Sequence, residues 1–596
     1  MKDNWFFKLL IVSCSIWSAT ALNSAWRWEC IGGFCQKRRI NNSTETGAIS
    51  LSVCQIFCSN NAALWPKPTG KVSVGNYLLP INANSIDIAG IAATAPSVSI
   101  LRHAVQRLRQ QTEQKGSAKA RNKGGRAAFF YFDIADTSIV DPVLRIDESY
   151  SLFVSESSSG SLNVTIKAQN AFGARHAIET FGQLVVHDDL RDELVVPRDV
   201  EVEDAPVYTY RGLTLDTSRN FISVEAIKRN IDAMAASKLN RFHWHITDTH
   251  SFPFYSKSQP QLSKLGAYSP KKVYMPDQIE DIVEYARVRG VKVVPEFDAP
   301  AHVGEGWQDS GFVVCLNKQP WELYCVEPPC GQFDPTEDGL YDVLGDIYGD
   351  MFELFKPDIF HMGGDEISFS CWRSEEKILN WLNARGWNSS SEEENFTKLW
   401  NLFQTKAIAQ LDFKAKTTLP IIMWTSELTR KENIQKYLPK DRYVIQVWTE
   451  GSDPQIKDLL DANYTLILSN YDALYLDCGF AGWVAGGNNW CSPYIGWQKV
   501  YSNSPYNISA GRTDQILGSS AALWTEQVDD SSVDGRFWPR AAALAEILWS
   551  EPKTTWREAE PRILIHRERL VRDTGVNAEA LEPEWCLQNE NNCPQN

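Results

Sequence analysis

The sequence predicts an α/β fold, a (β/α)8 or TIM barrel preceded by an N-terminal α+β domain. Three observations support this fold. The chain of 596 residues has room for a barrel, which takes roughly 250 residues or more, and for further domains. Beyond residue 205, short apolar runs alternate with amphipathic helical stretches. Polar and aromatic side chains recur where these runs end, which in a parallel barrel is the face that binds ligands.

Eight apolar runs have the length and the flanking residues of buried strands. They are 210–215, 241–246, 291–297, 358–362, 419–424, 443–448, 464–468 and 516–524. Apolar residues at helical spacing predict helices between them, most clearly at 224–237 and 278–289. Eight strand–helix units close into a parallel barrel, so we expect all eight strands to end at one mouth.

Three segments precede the barrel, which we expect to occupy residues 206–596 together with a C-terminal tail. Residues 1–21 hold a short apolar stretch that ends in Ala19-Thr20-Ala21, as in a cleaved secretory signal. A signal anchor is the alternative, although the stretch is short for a membrane span. Residues 22–65 are rich in cysteine. Residues 66–205 predict the α+β domain, with two strands of alternating polarity followed by a helical segment.

Within the α+β domain, residues 107–126 predict a basic, flexible insertion. This stretch mixes basic residues with Gly, Gln and Ser, a composition with little apolar surface to bury. Its basic residues are Arg107, Arg109, Lys115, Lys119, Arg121, Lys123 and Arg126. A processing or binding loop is the alternative interpretation.

The cysteine count indicates an oxidising compartment. Of thirteen cysteines, Cys14 lies in the signal segment, which leaves an even number that predicts disulfides rather than a metal site. Proximity in sequence predicts the local pairs Cys325–Cys330, Cys478–Cys491 and Cys586–Cys593. Cys30, Cys35, Cys54 and Cys58 are then expected to form a small nested knot, which leaves Cys315 for Cys371. N-glycosylation sequons agree with secretion and predict exposed loops. They begin at Asn41, Asn42, Asn163, Asn388, Asn395, Asn463 and Asn507.

Charge and composition narrow the class of ligand. The formal net charge is −15, which argues against nucleic acid and anionic membranes as partners. The 22 tryptophans are typical of surfaces that stack against sugars or bases, and the acidity favours sugars.

The most informative stretch is 358–366, where an apolar run ends in two glycines and two adjacent acids, Asp365 and Glu366. Glycine lets the backbone turn and approach a ligand closely. A Gly-Gly turn that carries two solvated acids is the alternative. Acids, a histidine, an arginine and tryptophans at the other strand ends, without a phosphate loop or a metal cluster, favour glycoside chemistry.

Four segments in order resemble the signatures of the family 20 β-N-acetylhexosaminidases, and the resemblance extends over essentially the whole mature chain. Within that family, the chain is similar to the insect enzymes that degrade chitooligosaccharides. The segments are Arg211-Gly-Leu-Thr-Leu-Asp-Thr-Ser-Arg219, Leu239-Asn-Arg-Phe-His-Trp-His-Ile-Thr-Asp248, Pro295-Glu-Phe-Asp-Ala-Pro-Ala-His302 and His361-Met-Gly-Gly-Asp-Glu366.

The resemblance implies substrate-assisted catalysis. Ordinary glycosidases separate two carboxyl groups across the sugar, but Asp365 and Glu366 are neighbours with Cα atoms about 3.8 Å apart. In this family the 2-acetamido oxygen is the nucleophile and forms an oxazolinium intermediate. Glu366 is then expected as general acid and later base, and Asp365 as the partner of the acetamido N–H. Two close carboxylates resist ionising together, which favours a protonated Glu366.

The resemblance also assigns the remaining pocket residues. Tyr475 is expected to donate to the acetamido oxygen, and Arg219, Asp477 and Glu526 to bind sugar hydroxyls. Asp248 and His302 are expected to relay protons to Glu366; a buried structural pair is the alternative. The expected pocket walls are Trp424, Trp448 and Trp524. Core tryptophans are the general alternative, but these three end strands.

An outer group of residues resembles the site for the next sugar in the insect enzymes. Trp490 is expected to stack on it, with Val326 and Glu327 as companions. Trp321 and Trp483 are candidate mobile gate residues, and burial in a subunit contact is the alternative.

Together these features predict a secreted, extracellular, retaining exo-β-N-acetylhexosaminidase. It would remove terminal N-acetylglucosamine from the non-reducing end of chitooligosaccharides, without metal or organic cofactor and without binding nucleic acid or, once the signal is removed, membrane. The resemblance also implies a homodimer. An N-glycan-processing or lysosomal β-hexosaminidase is an alternative. A non-catalytic glycan-recognition protein is a second alternative, which the intact acid pair disfavours.

Overall fold

The structure is a computed structural model that describes residues 24–40, 48–92, 94–387, 393–484, 486–589 and 593. The predicted signal segment 1–21 and the sequons at Asn41, Asn42 and Asn388 lie outside the described residues. None of the helices in the described ranges is long and apolar enough to span a bilayer.

The cysteine-rich segment forms a small disulfide-linked unit. Strands β1 (Trp26–Ile31) and β2 (Phe34–Arg39) pair as an antiparallel hairpin. Helix α1 (Leu51–Cys58) follows, with the Ser50 side chain as its N-cap. Two nested disulfides, Cys30–Cys58 and Cys35–Cys54, join the helix to the hairpin and form the predicted knot.

The α+β domain is one mixed sheet of eight strands in the order β3-β10-β6-β7-β5-β4-β9-β8. Its strands are β3 (Val72–Val74), β4 (Leu78–Gly90), β5 (Arg126–Ile134), β6 (Tyr150–Glu156), β7 (Leu162–Ala168), β8 (Val186–Asp188), β9 (Glu193–Pro197) and β10 (Val200–Asp204). Its helices are α2 (Val98–Lys115), α3 (Ala118–Asn122) and α4 (Ala171–Leu184). Strands β6 and β7 form the antiparallel hairpin that their alternating polarity predicts.

The prediction of a flexible insertion at 107–126 is wrong. Helix α2 continues to Lys115, α3 follows, and β5 already begins at Arg126. Arg107 donates to Asp232 at 2.5 Å, and Lys115 Nζ donates to the carbonyls of Gly182 and Val185. The basic residues obscured an amphipathic helix whose opposite face buries apolar side chains.

The second half of the chain forms the predicted barrel, closed and parallel in the order β11-β12-β13-β16-β17-β18-β19-β20. The strands from residue 206 onward are β11 (Tyr210–Asp216), β12 (Arg241–His245), β13 (Lys292–Glu296), β14 (Val313–Val314), β15 (Gln332–Phe333), β16 (Phe360–His361), β17 (Ile421–Trp424), β18 (Tyr443–Val447), β19 (Thr465–Leu468) and β20 (Ile516–Leu523). Strands β14 and β15 form a hairpin outside the barrel. Apolar side chains from seven barrel segments form one buried cluster that fills the interior: Tyr210, Val294, Ile359, Ile422, Val444, Ile467 and Leu517.

Helices surround the barrel and bury their apolar faces on it. Helix α5 is representative: Ser223 caps its N-terminus, and Ile227, Ile231 and Met234 lie on one buried face. The helices are α5 (Val224–Ala236), α6 (Pro260–Gly266), α7 (Pro276–Arg287), α8 (Asp338–Phe355), α9 (Phe369–Arg373), α10 (Glu376–Ala384), α11 (Glu393–Ala415), α12 (Ile434–Tyr437), α13 (Pro454–Asp461), α14 (Tyr471–Leu474), α15 (Trp497–Tyr501), α16 (Pro505–Ile508), α17 (Val533–Phe537), α18 (Arg540–Ser550) and α19 (Trp556–Thr574).

The disulfide predictions are confirmed throughout. Besides the N-terminal knot, the bonds are Cys315–Cys371, Cys325–Cys330, Cys478–Cys491 and Cys586–Cys593. The inference that each sequon marks an exposed loop is wrong for Asn395, which is buried in α11, and for Asn163, which is half-buried in β7. A three-residue motif carries no information about which face of a helix it occupies.

Candidate active site

A glycine turn after β16 brings the two predicted acids to the barrel mouth. Gly363 and Gly364 have φ angles of 60° and 86°, which favour glycine. A Cβ atom at Gly363 would lie 1.8 Å from Oδ1 of Asp298, and one at Gly364 would lie 2.5 Å from Cε of Met423. Glu366 is itself left-handed, with φ 53°, a conformation that costs energy and concentrates at functional sites.

The turn directs Asp365 and Glu366 toward one imidazole. His302 Nε2 lies 3.4 Å from Glu366 Oε2 and 3.8 Å from Asp365 Oδ2. The two side chains remain 13% and 24% exposed for Asp365 and Glu366 respectively, so both acids are accessible to a ligand in the mouth.

Asp365 lies in an environment that disfavours its charge. Burial raises the pKa of Asp365; the nearby Glu366 raises it further, and His302 opposes both. Burial and the neighbouring Asp365 likewise raise the pKa of Asp298 well above its ordinary value. Asp365 and Asp298 therefore both tend to hold a proton, whereas the prediction from the sequence was a protonated Glu366.

The predicted pair Asp248 and His302 is present in the mouth. His302 Nδ1 lies 3.3 Å from both oxygens of Asp248, and Arg219 Nη1 lies 2.8 Å from Asp248 Oδ2. Burial alone would lower the pKa of His302, but its acidic neighbours, above all the ionised Asp248, hold it well above its ordinary value. His302 is therefore a cation that faces the acid pair.

Below the mouth, the buried carboxylate of Glu296 at the end of β13 contacts several rings. Its Oε2 lies 2.8 Å from His243 Nε2 and 2.8 Å from His245 Nδ1. Its Oε1 accepts from the Trp424 indole N–H at 2.8 Å and lies 3.1 Å from His361 Nδ1. No role was predicted from the sequence for Glu296, His243 or His245. The alternation of two histidines on one strand was the available signal.

The predicted aromatic walls converge on the same space. The ring centroid of Trp524 lies 6.0 Å from that of Trp424 and 6.0 Å from that of Tyr475. Tyr475 is buried, and the acids near it include Asp365 and Glu366. Trp448 is partly buried, and its indole N–H donates to the Thr425 carbonyl at 2.7 Å. All four aromatic side chains therefore belong to the barrel mouth.

Arg219 lies at the floor of the mouth among acids. Its guanidinium contacts Asp248, its Nη2 lies 2.9 Å from Glu327 Oε1, and its Nε lies 3.9 Å from Glu526 Oε1. Burial raises the pKa of Asp477 to about 7, and it raises the pKa of Glu526 well above its ordinary value. The predicted hydroxyl-binding residues thus form one cluster. Glu327, which was predicted only for the outer rim, also belongs to this cluster because it pairs with Arg219.

The outer residues form an exposed rim. Trp490 and Val326 are 65% and 57% exposed, and Trp483 is 42% exposed beside His250. Val326 and Glu327 line the same small cleft as Glu366 and His302. The rim is therefore continuous with the acid pair.

Two disulfide-closed loops, Cys325–Cys330 and Cys478–Cys491, carry the exposed rim residues, and Trp321 directly precedes the first of them. Trp321 begins a 3₁₀ turn, Trp321–Leu323, and its carbonyl accepts from the Cys325 backbone N–H at 3.0 Å. On the other side of the mouth, Trp490 lies within the Cys478–Cys491 loop and packs 4.9 Å from Tyr471. Crosslinking limits the freedom of both loops.

Adjacent carboxylates at the mouth of a parallel barrel, a cationic histidine beside them and a tryptophan-walled pocket define a glycoside hydrolase. The sequence profile of the catalytic domain of glycosyl hydrolase family 20 matches residues 208–552, and a profile described as beta-acetyl hexosaminidase like matches residues 64–184. The chain belongs to glycosyl hydrolase family 20 and is a β-N-acetylhexosaminidase.

Relatives and solved structures agree with this family. The chain is similar to chitooligosaccharidolytic beta-N-acetylglucosaminidases from Bombyx mori, 51% identical over 98% of both chains, and from Ostrinia furnacalis, 52% identical over 97% of both. Its fold resembles that of the Flavobacterium johnsoniae chitobiase, with a TM-score of 0.65 and 25% identity over 86% of this chain and 73% of the chitobiase.

Proposed function

We propose that this hexosaminidase is a retaining exo-enzyme that removes terminal N-acetylglucosamine from the non-reducing end of chitooligosaccharides. The observation that carries the mechanism is that Asp365 and Glu366 face a single His302 nitrogen. Two carboxyl groups on one side of the sugar do not form the opposed pair of ordinary glycosidases. A nucleophile supplied by the substrate removes the need for such a pair.

In the first step, the 2-acetamido oxygen attacks the anomeric carbon, and the bond from that carbon to the leaving oxygen breaks. Glu366 gives its proton to the leaving oxygen. Asp365 accepts a hydrogen bond from the acetamido N–H and stabilises the positive charge of the oxazolinium ion. Tyr475 donates a hydrogen bond to the acetamido oxygen. That positive charge favours ionised Asp365, against the burial that raises its pKa in the free site.

In the second step, water attacks the anomeric carbon from the side that the leaving group vacated. Glu366 takes a proton from the water, and the bond from the anomeric carbon to the acetamido oxygen breaks. The His302 cation, 3.4 Å away, stabilises Glu366 whenever it is ionised, and Asp248 orients that imidazole.

The remaining groups bind the sugar that is released. Arg219 binds its hydroxyls, and Asp477 and Glu526 bind the 4- and 6-hydroxyl side. In the free site, the Arg219 guanidinium donates to the Glu327 carboxylate. A sugar hydroxyl that binds to Arg219 therefore replaces this carboxylate. Raised pKa values keep Asp477 and Glu526 partly neutral, so they can donate to as well as accept from hydroxyls.

The exposed rim supports a chain of sugars as substrate. Trp490 offers a stacking face for the second sugar, and Val326 and Glu327 line the cleft between it and Glu366. Relatives at 51% and 52% identity carry the name chitooligosaccharidolytic. Trp321 and Trp483 act as gate residues beyond Trp490.

We also propose a secreted, glycosylated homodimer. The six disulfides are compatible with an oxidising compartment, and the relatives named above are compatible with secretion.

The mechanism is tested with aryl glycosides of N-acetylglucosamine and of glucose. The glucoside lacks the internal nucleophile, and we expect its turnover to be at least about 100-fold slower. Glu366→Gln should slow turnover of the N-acetylglucosaminide about 100-fold to 10,000-fold while the melting temperature is retained. Comparable rates on both glycosides, or near-normal turnover by the variant, would overturn the mechanism.

The substrate is tested by the initial rates of terminal release from a chitin trimer and from a biantennary N-glycan, both measured at equal concentration. Faster release from the trimer is expected. Faster release from the N-glycan would instead favour an N-glycan-processing enzyme.

A further inference from the structure

Buried charged groups form a continuous chain from the interior of the barrel to the acid pair. Glu296 Oε2 lies 2.8 Å from His245 Nδ1, and His245 Nε2 lies 2.8 Å from Asp248 Oδ2. Asp248 Oδ1 lies 3.3 Å from His302 Nδ1, and His302 Nε2 lies 3.4 Å from Glu366 Oε2. The first two links are the shortest, and both involve His245.

We propose that Glu296 and His245 are positioning residues of the hydrolysis, which hold the charge and orientation of Asp248 and His302 and thereby the pH range in which Glu366 works. The inference rests on the proposed role of Glu366. It extends the predicted pair of Asp248 and His302 into the barrel by two further residues.

The contacts of His245 favour an imidazolium, although Arg219 Nη1 also lies 3.5 Å from its Nε2. Both of its ring nitrogens face carboxylate oxygens, which only accept hydrogen bonds when ionised, so both nitrogens donate. Burial alone would lower the pKa of His245, but Glu296 and Asp248 hold it well above its ordinary value. Three histidines and the indole N–H of Trp424 surround Glu296. Burial alone would raise the pKa of Glu296, but the histidines hold it well below its ordinary value.

The signs of the charges alternate along the chain. Glu296 is negative, His245 positive, Asp248 negative and His302 positive, and the acid pair follows. The groups that face its members from the other elements are Arg219, His243, His250, Tyr268, Asp298, His361, Asp365 and Tyr475. Within this set, His245 supplies the positive charge between the two innermost carboxylates.

Glu296 also connects this series of charged side chains to the pocket wall. Its second oxygen accepts the Trp424 indole N–H at 2.8 Å, and Trp424 is 1% exposed. One carboxylate thus orients both the inner end of the charged chain and a proposed wall of the acetamido pocket.

His243 provides a matched control on the same strand. It lies two residues before His245, is equally buried, and is the same 2.8 Å from Glu296 Oε2. Its other nitrogen reaches the neutral hydroxyl of Thr214 at 3.0 Å and not an acid of the mouth. Burial lowers the pKa of His243 to about 4, so this ring is neutral at working pH.

The test compares His245→Gln with His243→Gln in the full-length enzyme, by the pH dependence of kcat and KM on an N-acetylglucosamine aryl glycoside. His245→Gln removes a cation, which raises the pKa of neighbouring groups. We expect its pH profile to move to higher pH by about half a unit or more, with kcat about tenfold lower and KM little changed. His243→Gln should keep the limbs of the profile at their wild-type pH.

A second variant, Glu296→Gln, keeps the inference testable if His245→Gln folds poorly. Glu296→Gln leaves His245 in place but removes the carboxylate that holds its proton, so the limbs should move in the same direction by a smaller amount. Wild-type limb positions in both the His245 and Glu296 variants would overturn the inference, as would equal shifts in the His243 and His245 variants. Near-normal turnover by Glu366→Gln would overturn the proposed function instead.

Discussion

At the scale of single residues, the site depends on side chains held in environments that they avoid in water. Asp365, Asp298 and Glu526 resist ionisation because they are buried beside other acids. Glu366 accepts a left-handed backbone. Trp490, by contrast, exposes 65% of its surface to solvent. Buried acids suit bond cleavage, and an exposed ring suits the recognition of a longer substrate.

The stacking role proposed for Trp490 predicts a loss that depends on substrate length. An aromatic contact is worth about 0.5–1.5 kcal/mol, so Trp490→Ala should raise KM for a chitin trimer about 2- to 12-fold. The change for a short aryl glycoside should be smaller, because it places no second sugar on the ring. Steady-state kinetics on both substrates measure the difference.

Trp585→Ala is the matched control for that variant. Trp585 is also exposed, at 52%, but it lies in the C-terminal tail beside the 3₁₀ turn Cys586–Gln588. Its removal should leave both KM values unchanged. Equal losses of Trp490→Ala on the long and the short substrate would contradict the stacking role.

At the scale of elements, the two residues of β16 and the glycine turn after it determine where the acids lie. The strand pairs with β13 through Glu296 and His361, and the turn then packs against Asp298 and Met423. The Gly364 backbone N–H donates to Asp298 Oδ1 at 2.8 Å. The acid pair is therefore positioned by main chain that has no space for a side chain.

This tight turn predicts that Gly363→Ala inactivates the enzyme. Its Cβ would lie 1.8 Å from Asp298 Oδ1, so Asp298 and the neighbouring Asp365 must move. A misplacement of about 1 Å can cost about 100-fold in rate. Turnover of the aryl N-acetylglucosaminide, together with the melting temperature, measures the effect.

Gly386→Ala separates backbone strain from this collision. Gly386 also has a positive φ, 72°, but no atom lies within 4 Å of the added Cβ. The left-handed conformation alone costs an L-residue about 1–2 kcal/mol, so the control should fold slightly less stably with normal turnover. Full activity of Gly363→Ala would show that the turn tolerates displacement.

At the scale of the whole molecule, a buried polar network joins the N-terminal domain to the barrel. Arg211 on β11 reaches both oxygens of Glu148, at 2.9 and 2.8 Å. His176 on α4 lies 2.9 Å from the same carboxylate. Lys238 and Asp204 form a second buried pair at 2.9 Å. Polar groups buried in this way must be paired, so the two domains are held in one arrangement.

Breaking this network should destabilise the whole chain. Glu148→Gln leaves the buried Arg211 without its counter-charge, and such a break costs about 3–5 kcal/mol. Denaturant unfolding followed by tryptophan fluorescence measures it. Glu201→Gln is the control, because the Lys71–Glu201 pair is exposed and should contribute little. Similar losses of unfolding free energy in both variants would contradict the larger contribution that we expect from the buried network.

The same network predicts how stability depends on pH. Burial alone would raise the pKa of Glu148, but Arg211 and His176 hold it well below its usual range. Burial lowers the pKa of His176 to about 3. Both groups bind protons more readily in the unfolded chain, so the free energy of unfolding should fall as the pH drops below about 6.5. A melting temperature that rises on acidification would contradict this sign.

Much of this protein is readable from local sequence. Each barrel strand coincides with a predicted run, because strands buried on both faces are mostly apolar. Strand β12 departs from this pattern, since it buries Arg241, His243 and His245 between its aromatic residues. The two glycines before Asp365 and Glu366 indicate a turn with no room for side chains, and the structure has that turn. Short spacing indicates the three local disulfides, whereas the pairing inside the N-terminal knot is known only from the structure.

Other features depend on contacts between residues that are distant in sequence. The parallel register that sets His245 beside Glu296 joins positions on two strands that are about 50 residues apart in sequence, so the contact exists only once the barrel has closed. The position of Glu327 on Arg219 depends on how the Cys325–Cys330 loop folds over the mouth. The basic stretch 107–126 was misread because the partner of Arg107, Asp232, lies on a barrel helix. Hydrophobic patterning is local and survives in the sequence, whereas the pairing of buried charges exists only once separate strands have been packed together.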